Sequence, residues 1–363
     1  MSWVKAVLFL DAVLLLWGFI HWYVYRRLLS LFSGKGILPL IFFLLFASFP
    51  LTKILARVLP PSLSFPLYFL ACLWMGLLFY LFLYLLLGNL LEIFLGGSVY
   101  IRAGAVALAL LTVFYGLFEA GSVAVRNLEL EVPSPSGGEV RIVHLSDLHL
   151  GLNLNYLRLK RVLGRINGFS PDLILITGDL LDQEVERAGE YRELLLGLKA
   201  KIGVFAVSGN HEFYAGEERA FKIIKSWGIR LLRNRVLDLG KVVLAGVDDE
   251  EFLGRRWREN LREVLKRAEG SKPVILLKHR PTGFSLAGKM GVSLMLCGHT
   301  HRGQLFPLHL LTARVYRYFY GYHREGKMQI YVNAGLGTWG PPIRVLSRPE
   351  VVFITLKLKR EKP

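Results

Sequence analysis

The chain has 363 residues, enough for one ordinary domain and something more, and its 45 Lys and Arg outnumber 28 Asp and Glu for a formal net charge of +17 at pH 7. The basic surplus favours anionic partners (phosphate substrates, acidic lipid headgroups, nucleic acid) no more strongly than it favours plain solubility. Two cysteines, Cys72 in a long apolar run and Cys297 in an expected buried strand, fall in different parts of the chain and argue against a disulfide framework.

Hydrophobic residues make up 53% of the chain, and the excess comes from one segment. Up to Arg126 the only acids are Asp11, Glu92 and Glu119. A helix crosses a hydrocarbon core with about 20 apolar residues, and four stretches here reach that length. They run from about Val4 to Tyr25, from Ile37 to about Leu55, from Phe65 past Leu87, and from about Ala103 to Gly121. Trp17, Trp22, Tyr23 and Tyr25 suit an interfacial belt. The first run is too long for a signal peptide and lacks a small-residue cleavage site, and a soluble bundle would show polar faces that these runs do not. They also show no paired polar residues of the kind a transport path uses. Residues 1–125 are therefore expected to be an integral, multi-pass region of the cell membrane, with about four helices. Arg26, Arg27 and Lys35 favour a cytoplasmic first loop and a C-terminal domain outside the cytoplasm, although Lys53 and Arg57 pull the other way.

A linker is expected over 126–138, where Pro133, Pro135, Gly137 and Gly138 break any regular pattern. Beyond it, strands are expected at Val140–Leu145, Leu173–Thr177, Val204–Val207, Val242–Val247, Val274–Leu277 and Val292–Leu296. Helices are expected around Leu157–Ile166, Glu184–Leu198, Glu217–Trp227 and Arg256–Ala268, and the section from Gln329 to Lys357 reads as strand-rich. Such alternation predicts a layered α/β domain over 139–363.

The polar residues gather just after these strands. Asp147 and His149 follow the first, Asp179 the second, Asn210, His211 and Glu212 the third, His279 the Val274 strand, and His299 and His301 the Val292 strand. Reactive groups of α/β sheets gather beyond the carboxyl ends of strands, so these ends are expected to share one rim. Imidazole, carboxylate and amide oxygen suit Mn, Fe or Zn, and a pair of cations about 3.5–4 Å apart needs a bridging anion such as an aspartate.

The ordered set Asp-x-His, Gly-Asp, Gly-Asn-His-Glu, lone His and Gly-His-x-His resembles the calcineurin-like metallophosphoesterase superfamily, above all its membrane-associated bacterial branch. The resemblance covers the chain beyond the linker. It implies a two-sheet sandwich flanked by helices, preceded here by the all-α membrane region. It implies one metal on Asp147, His149, Asp179 and His301 and a second on Asp179, Asn210, His279 and His299, with Asp179 bridging and Mn favoured. His211 matches the residue that faces the scissile phosphate and assists the leaving group. The implied activity is metal-dependent hydrolysis of a phosphoester or pyrophosphate bond by metal-activated hydroxide, and the membrane tether adds the expectation of a lipid or other envelope substrate. The other reading is a non-catalytic envelope-binding or sensor protein on the same fold.

Arg302 stands where that branch often has Gly, and either binds a phosphate oxygen or lies on the surface. Glu212 is expected to support the His211 loop, and His144 to pack under the site. Gly335–Gly340 matches a dinucleotide fingerprint formally, but Pro341 and Pro342 stand where its helix must start, so a turn near the metal rim is expected. Basic and aromatic residues interleave over 314–327; a hairpin packed on the domain ranks first, membrane contact second and nucleic acid last.

Overall fold

The computed structural model describes residues 3–31, 36–151, 156–182 and 185–360. Lys35, used above for orientation, and Glu184, taken as a helix start, lie outside the described residues. The chain forms two compact units: Met1–Phe118 with Gly340–Ile343, and Glu119–Trp339 with Arg344–Pro363.

The first unit holds helices α1 (Trp3–Leu29), α2 (Leu38–Leu55), α3 (Pro61–Leu95) and α4 (Val99–Gly121). Among the described residues, α2, the stretch Ser62–Leu95 of α3, and α4 are long and apolar enough to cross a membrane. Phe94, Tyr100, Phe114 and Phe118 point outward and exposed, as a lipid-facing surface requires. α3 runs on to Leu95 and so takes in Glu92, which pairs with Arg27 of α1 and, at 2.9 Å, with Arg102 of α4. His21 is buried, 2.9 Å from the Trp17 carbonyl and accepting from Trp74 Nε1. The helices therefore do carry paired polar groups, contrary to expectation. Each partner sits on a different helix, where a single-sequence reading does not find it. Trp17 and Tyr23 likewise donate to the carbonyls of Phe46 and Leu85 on neighbouring helices.

The second unit runs β1 (Ala124–Pro133), β2 (Gly138–Leu145), α5 (Tyr156–Gly168), β3 (Leu173–Thr177), α6 (Arg192–Leu196), β4 (Gly203–Val207), α7 (Asn210–Tyr214), α8 (Glu217–Ser226), β5 (Arg230–Leu231), β6 (Arg235–Asp238) and β7 (Val243–Gly246). It continues with α9 (Glu250–Leu253), α10 (Trp257–Arg267), β8 (Val274–Leu277), α11 (Phe284–Lys289), β9 (Val292–Cys297), α12 (His309–Val315), β10 (Gly321–Glu325), β11 (Met328–Val332) and β12 (Glu350–Lys359). The strands make two mixed six-stranded sheets, ordered β1-β12-β2-β3-β4-β5 and β10-β11-β9-β8-β7-β6. Within them β2, β3, β4 and β5 run parallel, as do β7, β8, β9 and β11.

Residues 126–138, expected as a linker, instead contain most of β1, which pairs in parallel with all ten residues of β12. The cause is an alternation the punctuating prolines and glycines mask: Leu128, Leu130 and Val132 turn inward while Glu129, Glu131 and Pro133 face out. Pro133 ends the strand, where its missing N–H costs no ladder bond.

The parallel strands read as unbroken apolar runs because both of their faces are covered. Val140 and Ile142 of β2, with Leu173 and Leu175 of β3, meet Ile275, Leu277, Leu294 and Leu296 of the other sheet in the inter-sheet core. Val143, Leu145, Ile174 and Ile176 pack outward on Leu163 and Ile166 of α5 and Ile224 of α8. The second sheet covers its outer face with Leu261, Val264 and Leu265 of α10 and Ala287 of α11. Each such side chain contributes about 1.5–3 kcal/mol on leaving water. The result is a helix–sheet–sheet–helix sandwich whose strand ends β2, β3, β4, β8 and β9 carry the polar residues.

Candidate metal centre

Each strand is buried to its last residue, so the chain must turn sharply to present a side chain and leave. Asp147, His149, Asp179, His299 and His301 all have left-handed backbone, with φ between 47° and 73°. Such strain costs about 1–3 kcal/mol per residue, and five instances converge here. Two glycines are forced by the crowding. A Cβ on Gly209 would stand 2.1 Å from Asp179 Oδ1, and one on Gly298 would stand 1.8 Å from Ser146 Oγ and 2.4 Å from Asp147 Oδ2.

The turns bring the expected residues together. Asp147, His149 and His301 each offer a ligand atom within 4.8 Å of the others, as do Asp179, His279 and His299, and His149, Asp179 and His211. Asn210 Oδ1 lies 3.2 Å from His279 Nε2 and so joins the second group. Asp179 Oδ1 accepts from the His211 backbone N–H at 2.9 Å. Its Oδ2 lies 3.8 Å from His149 Nε2 and 3.3 Å from His279 Nε2, facing both groups. The imidazole of His279 is oriented by Nδ1 donating to the Thr177 carbonyl at 2.7 Å, which leaves the Nε2 lone pair for the site.

The donor set fits divalent cations. His149 Nε2 faces His301 Nε2 at 3.0 Å, and His279 Nε2 faces His299 Nδ1 at 3.1 Å, with carboxylate oxygens beside both pairs. Imidazole and carboxylate groups converging away from bulk water call for positive charge among them. All the donors are nitrogen or oxygen. Cys297 at the end of β9 is no competitor, because burial pushes its thiol up to about 12. The clusters are consistent with a two-metal site.

Electrostatics point the same way. Burial, with the positive His211 next in weight, pushes His149 down to about 3. Burial also puts His299 and His301 well below their ordinary value, with His279 and Arg344 adding to it, so these three rings stay neutral. Burial would lower His279 too, but Asp179 and Asp147 outweigh it and push His279 up to about 10. Burial likewise opposes the charge on His211, yet Asp179 and Asp182 hold it up at about 9. In the metal-free chain the protein thus keeps protons on two rings where its carboxylates demand positive charge.

Residues 140–303 match the calcineurin-like phosphoesterase family. Over 261 residues the chain is 35% identical to an uncharacterized metallophosphoesterase of Aquifex aeolicus, covering 69% of this chain and 98% of that one. The chain belongs to the calcineurin-like metallophosphoesterases. This metallophosphoesterase is also 35% identical over 228 residues to an uncharacterized metallophosphoesterase of Helicobacter pylori (strain J99), covering 61% of each chain. It is 34% identical over 261 residues to a Danio rerio transmembrane protein with metallophosphoesterase domain, covering 67% of this chain and 60% of the other. It spans about six tenths of the length of these last two relatives.

Around these clusters, the metallophosphoesterase carries supports that sequence reasoning found only in part. Glu212 is fully buried and, as expected, holds the loops: its carboxylate accepts from the N–H groups of Asp179 (3.1 Å), Gly209 (2.7 Å) and Leu181 (3.0 Å). His144 is buried below the site with Nε2 2.9 Å from Thr177 Oγ1. Asp182 was missed. Its Oδ1 lies 3.1 Å from His211 Nδ1, which turns Nε2 of that ring away as its free end.

Arg344 was missed as well. It is fully buried, and its Nη1 donates to the carbonyls of Ala334 (2.8 Å) and His301 (3.1 Å) while Nη2 sits 3.0 Å from His301 Nδ1. The loop it holds is the glycine-rich one: Leu336 and Gly337 donate to the carbonyls of Ser146 and Asp147 at 3.0 and 2.7 Å, a turn beside the site as expected. Arg302 lies half-buried with its guanidinium 4.4 Å from the Tyr320 ring centroid. The aromatic stretch over 314–327 includes β10, which pairs antiparallel with β11, and Tyr318, Tyr320 and Tyr322 hydrogen-bond Glu325, Glu350 and Gln329 of the same unit.

Proposed function

We propose that the chain is a membrane-anchored hydrolase that cleaves a phosphoester or pyrophosphate bond at a centre of two divalent metals, Mn first among Mn, Fe and Zn. The reading rests most on Asp179, whose one oxygen is anchored by backbone while the other faces both ligand groups. Asp147, His149, Asp179 and His301 would hold one ion; Asp179, Asn210, His279 and His299 would hold the other. When bound, such a pair supplies the Lewis acidity that neutralises phosphoryl charge and makes water acidic.

The protein's own groups do the rest. Its strained turns fix the ligand atoms before substrate arrives, so little reorganisation is left for the reaction. Asp182 holds His211 at Nδ1 and keeps its charge, so Nε2 carries a transferable proton. As the bond from phosphorus to the leaving oxygen breaks, that proton passes to the leaving oxygen. Water supplies the oxygen that bonds to phosphorus and loses its proton to solvent.

Among the described residues three helices fit to cross a membrane, and α1 is proposed as a fourth, so the substrate is taken to be a lipid-linked or other envelope phosphate. The basic residues in the last turn of α1, Arg26 and Arg27, favour placing the catalytic unit outside the cytoplasm. The test is a screen of lipid and nucleotide phosphates and a generic phosphodiester with Mn, on wild type and Asp179→Asn. Turnover lost in the variant supports the proposal. Absence of turnover with any metal, or full activity in Asp179→Asn, contradicts it.

A further inference from the structure

Aromatic side chains are costly to leave in water, and three stand together, largely exposed, close to His211. Trp339 is 58% exposed, Tyr214 49% and Phe213 45%. The His211 ring has two of them beside it, Trp339 at 6.2 Å and Tyr214 at 5.7 Å by ring centroids, edge-on to the first and steeply tilted to the second. This is not the looseness of a surface loop. Buried Gln304 grips the Trp339 backbone on both sides: its Nε2 donates to the Trp339 carbonyl at 2.8 Å and its Oε1 accepts from the Trp339 N–H at 3.0 Å. Leu336 and Gly337, just before it, are tied to Ser146 and Asp147, so the Trp339 backbone is held in register with the candidate ligand cluster. Tyr214 follows three residues after His211 in the same helix, and its hydroxyl is already taken by Glu251 Oε1 at 3.4 Å. What it offers beside His211 is ring.

We propose that Trp339 and Tyr214 form an apolar seat for the leaving group, and that the substrate therefore carries an aromatic or aliphatic group close to its scissile oxygen. The inference rests on the hydrolytic reading of His211 and deepens it. A general acid must reach the leaving oxygen, so the atoms bonded to that oxygen lie on the His211 side of the phosphorus. There they meet two rings, one of them on a backbone gripped by Gln304. A methyl or polyol leaving group gains nothing from such walls; a ring or an alkyl chain gains stacking and burial.

The experiment is calorimetric binding of methyl-, phenyl- and butylphosphonate to the full-length, Mn-loaded protein, with turnover of a generic phosphodiester measured in parallel. Phenyl- or butylphosphonate is expected to bind tighter than methylphosphonate. That advantage should fall about 3- to 10-fold in Trp339→Ala and in Tyr214→Ser, and return in Trp339→Phe. An effect confined to phenylphosphonate identifies an aromatic leaving group, and one confined to butylphosphonate an aliphatic chain. If the wild type binds methylphosphonate and turns over substrate, but the advantage is absent or unchanged in both variants, the seat is overturned and the hydrolytic reading stands. If methylphosphonate does not bind and nothing is turned over, both fall.

Discussion

At the residue scale, Asp182 shows why a charged partner escapes a sequence reading while the group it serves does not. His211 stands in Gly-Asn-His-Glu, but Asp182 lies 29 positions earlier in a loop, and only the fold puts the two 3.1 Å apart. The candidate ligands were legible because each follows an apolar run, and Asp179, Asn210 and His299 sit beside a glycine that crowding demands. Two predictions belong here. Asp182→Asn should lower kcat about 100-fold with little change in KM, since the lost interaction serves the transition state. It should also move the alkaline limb of the pH–rate profile to lower pH. The sign follows from His211 being raised to about 9 in the metal-free chain: it stays protonated until pH passes that value, and Asp182 is part of what holds it there. Bound cations pull it down, and removing Asp182 pulls it further. A limb that stays put would show that His211 is not the acid. Second, His279, pushed up to about 10, must shed its proton to become a ligand. Metal binding at pH 7 should therefore release at least one proton per chain, read from the buffer dependence of the calorimetric enthalpy; buffer-independent heat would contradict this.

At the scale of elements, the sandwich was readable because the strands covered on both faces are continuous apolar runs, and β3 and β8 begin and end where the pattern places them. β1 was not readable, because Pro133, Gly137 and Gly138 cluster at its end and dominate a local reading. Its evidence is the pairing with β12, more than 200 residues away. Arg344 was equally hidden: one basic residue among 45 Lys and Arg, marked out only by the carbonyls that the fold directs at it. Replacing it by Met takes the side-chain donor from the Ala334 carbonyl, while the His301 carbonyl keeps Gln304 N–H and Ser347 Oγ. Arg344→Met should cost roughly 3 kcal/mol in stability and weaken metal binding, because the loop beside His301 loses its tie. Thermal unfolding with and without Mn checks this, and an unchanged Tm in both states would contradict it.

At the scale of the whole molecule, an apolar N-terminal unit and a mixed-charge metallophosphoesterase unit were separable from composition alone, but their boundary was not. A fragment starting at Ser122 keeps β1 and is expected to be soluble, to hydrolyse a generic phosphodiester and to stay out of the membrane fraction. One starting at Glu139 removes β1 and bares the edge of β12, and is expected to aggregate. Equal solubility of the two would mean that β1 contributes nothing to the sheet. The most direct measurement of the central claim is metal content by anomalous diffraction at the Mn edge. Wild-type protein should show two peaks about 3.5–4 Å apart with Asp179 between them, and Asp179→Asn should lose at least one. A single peak, or two peaks unaffected by Asp179→Asn, would contradict a shared-carboxylate centre.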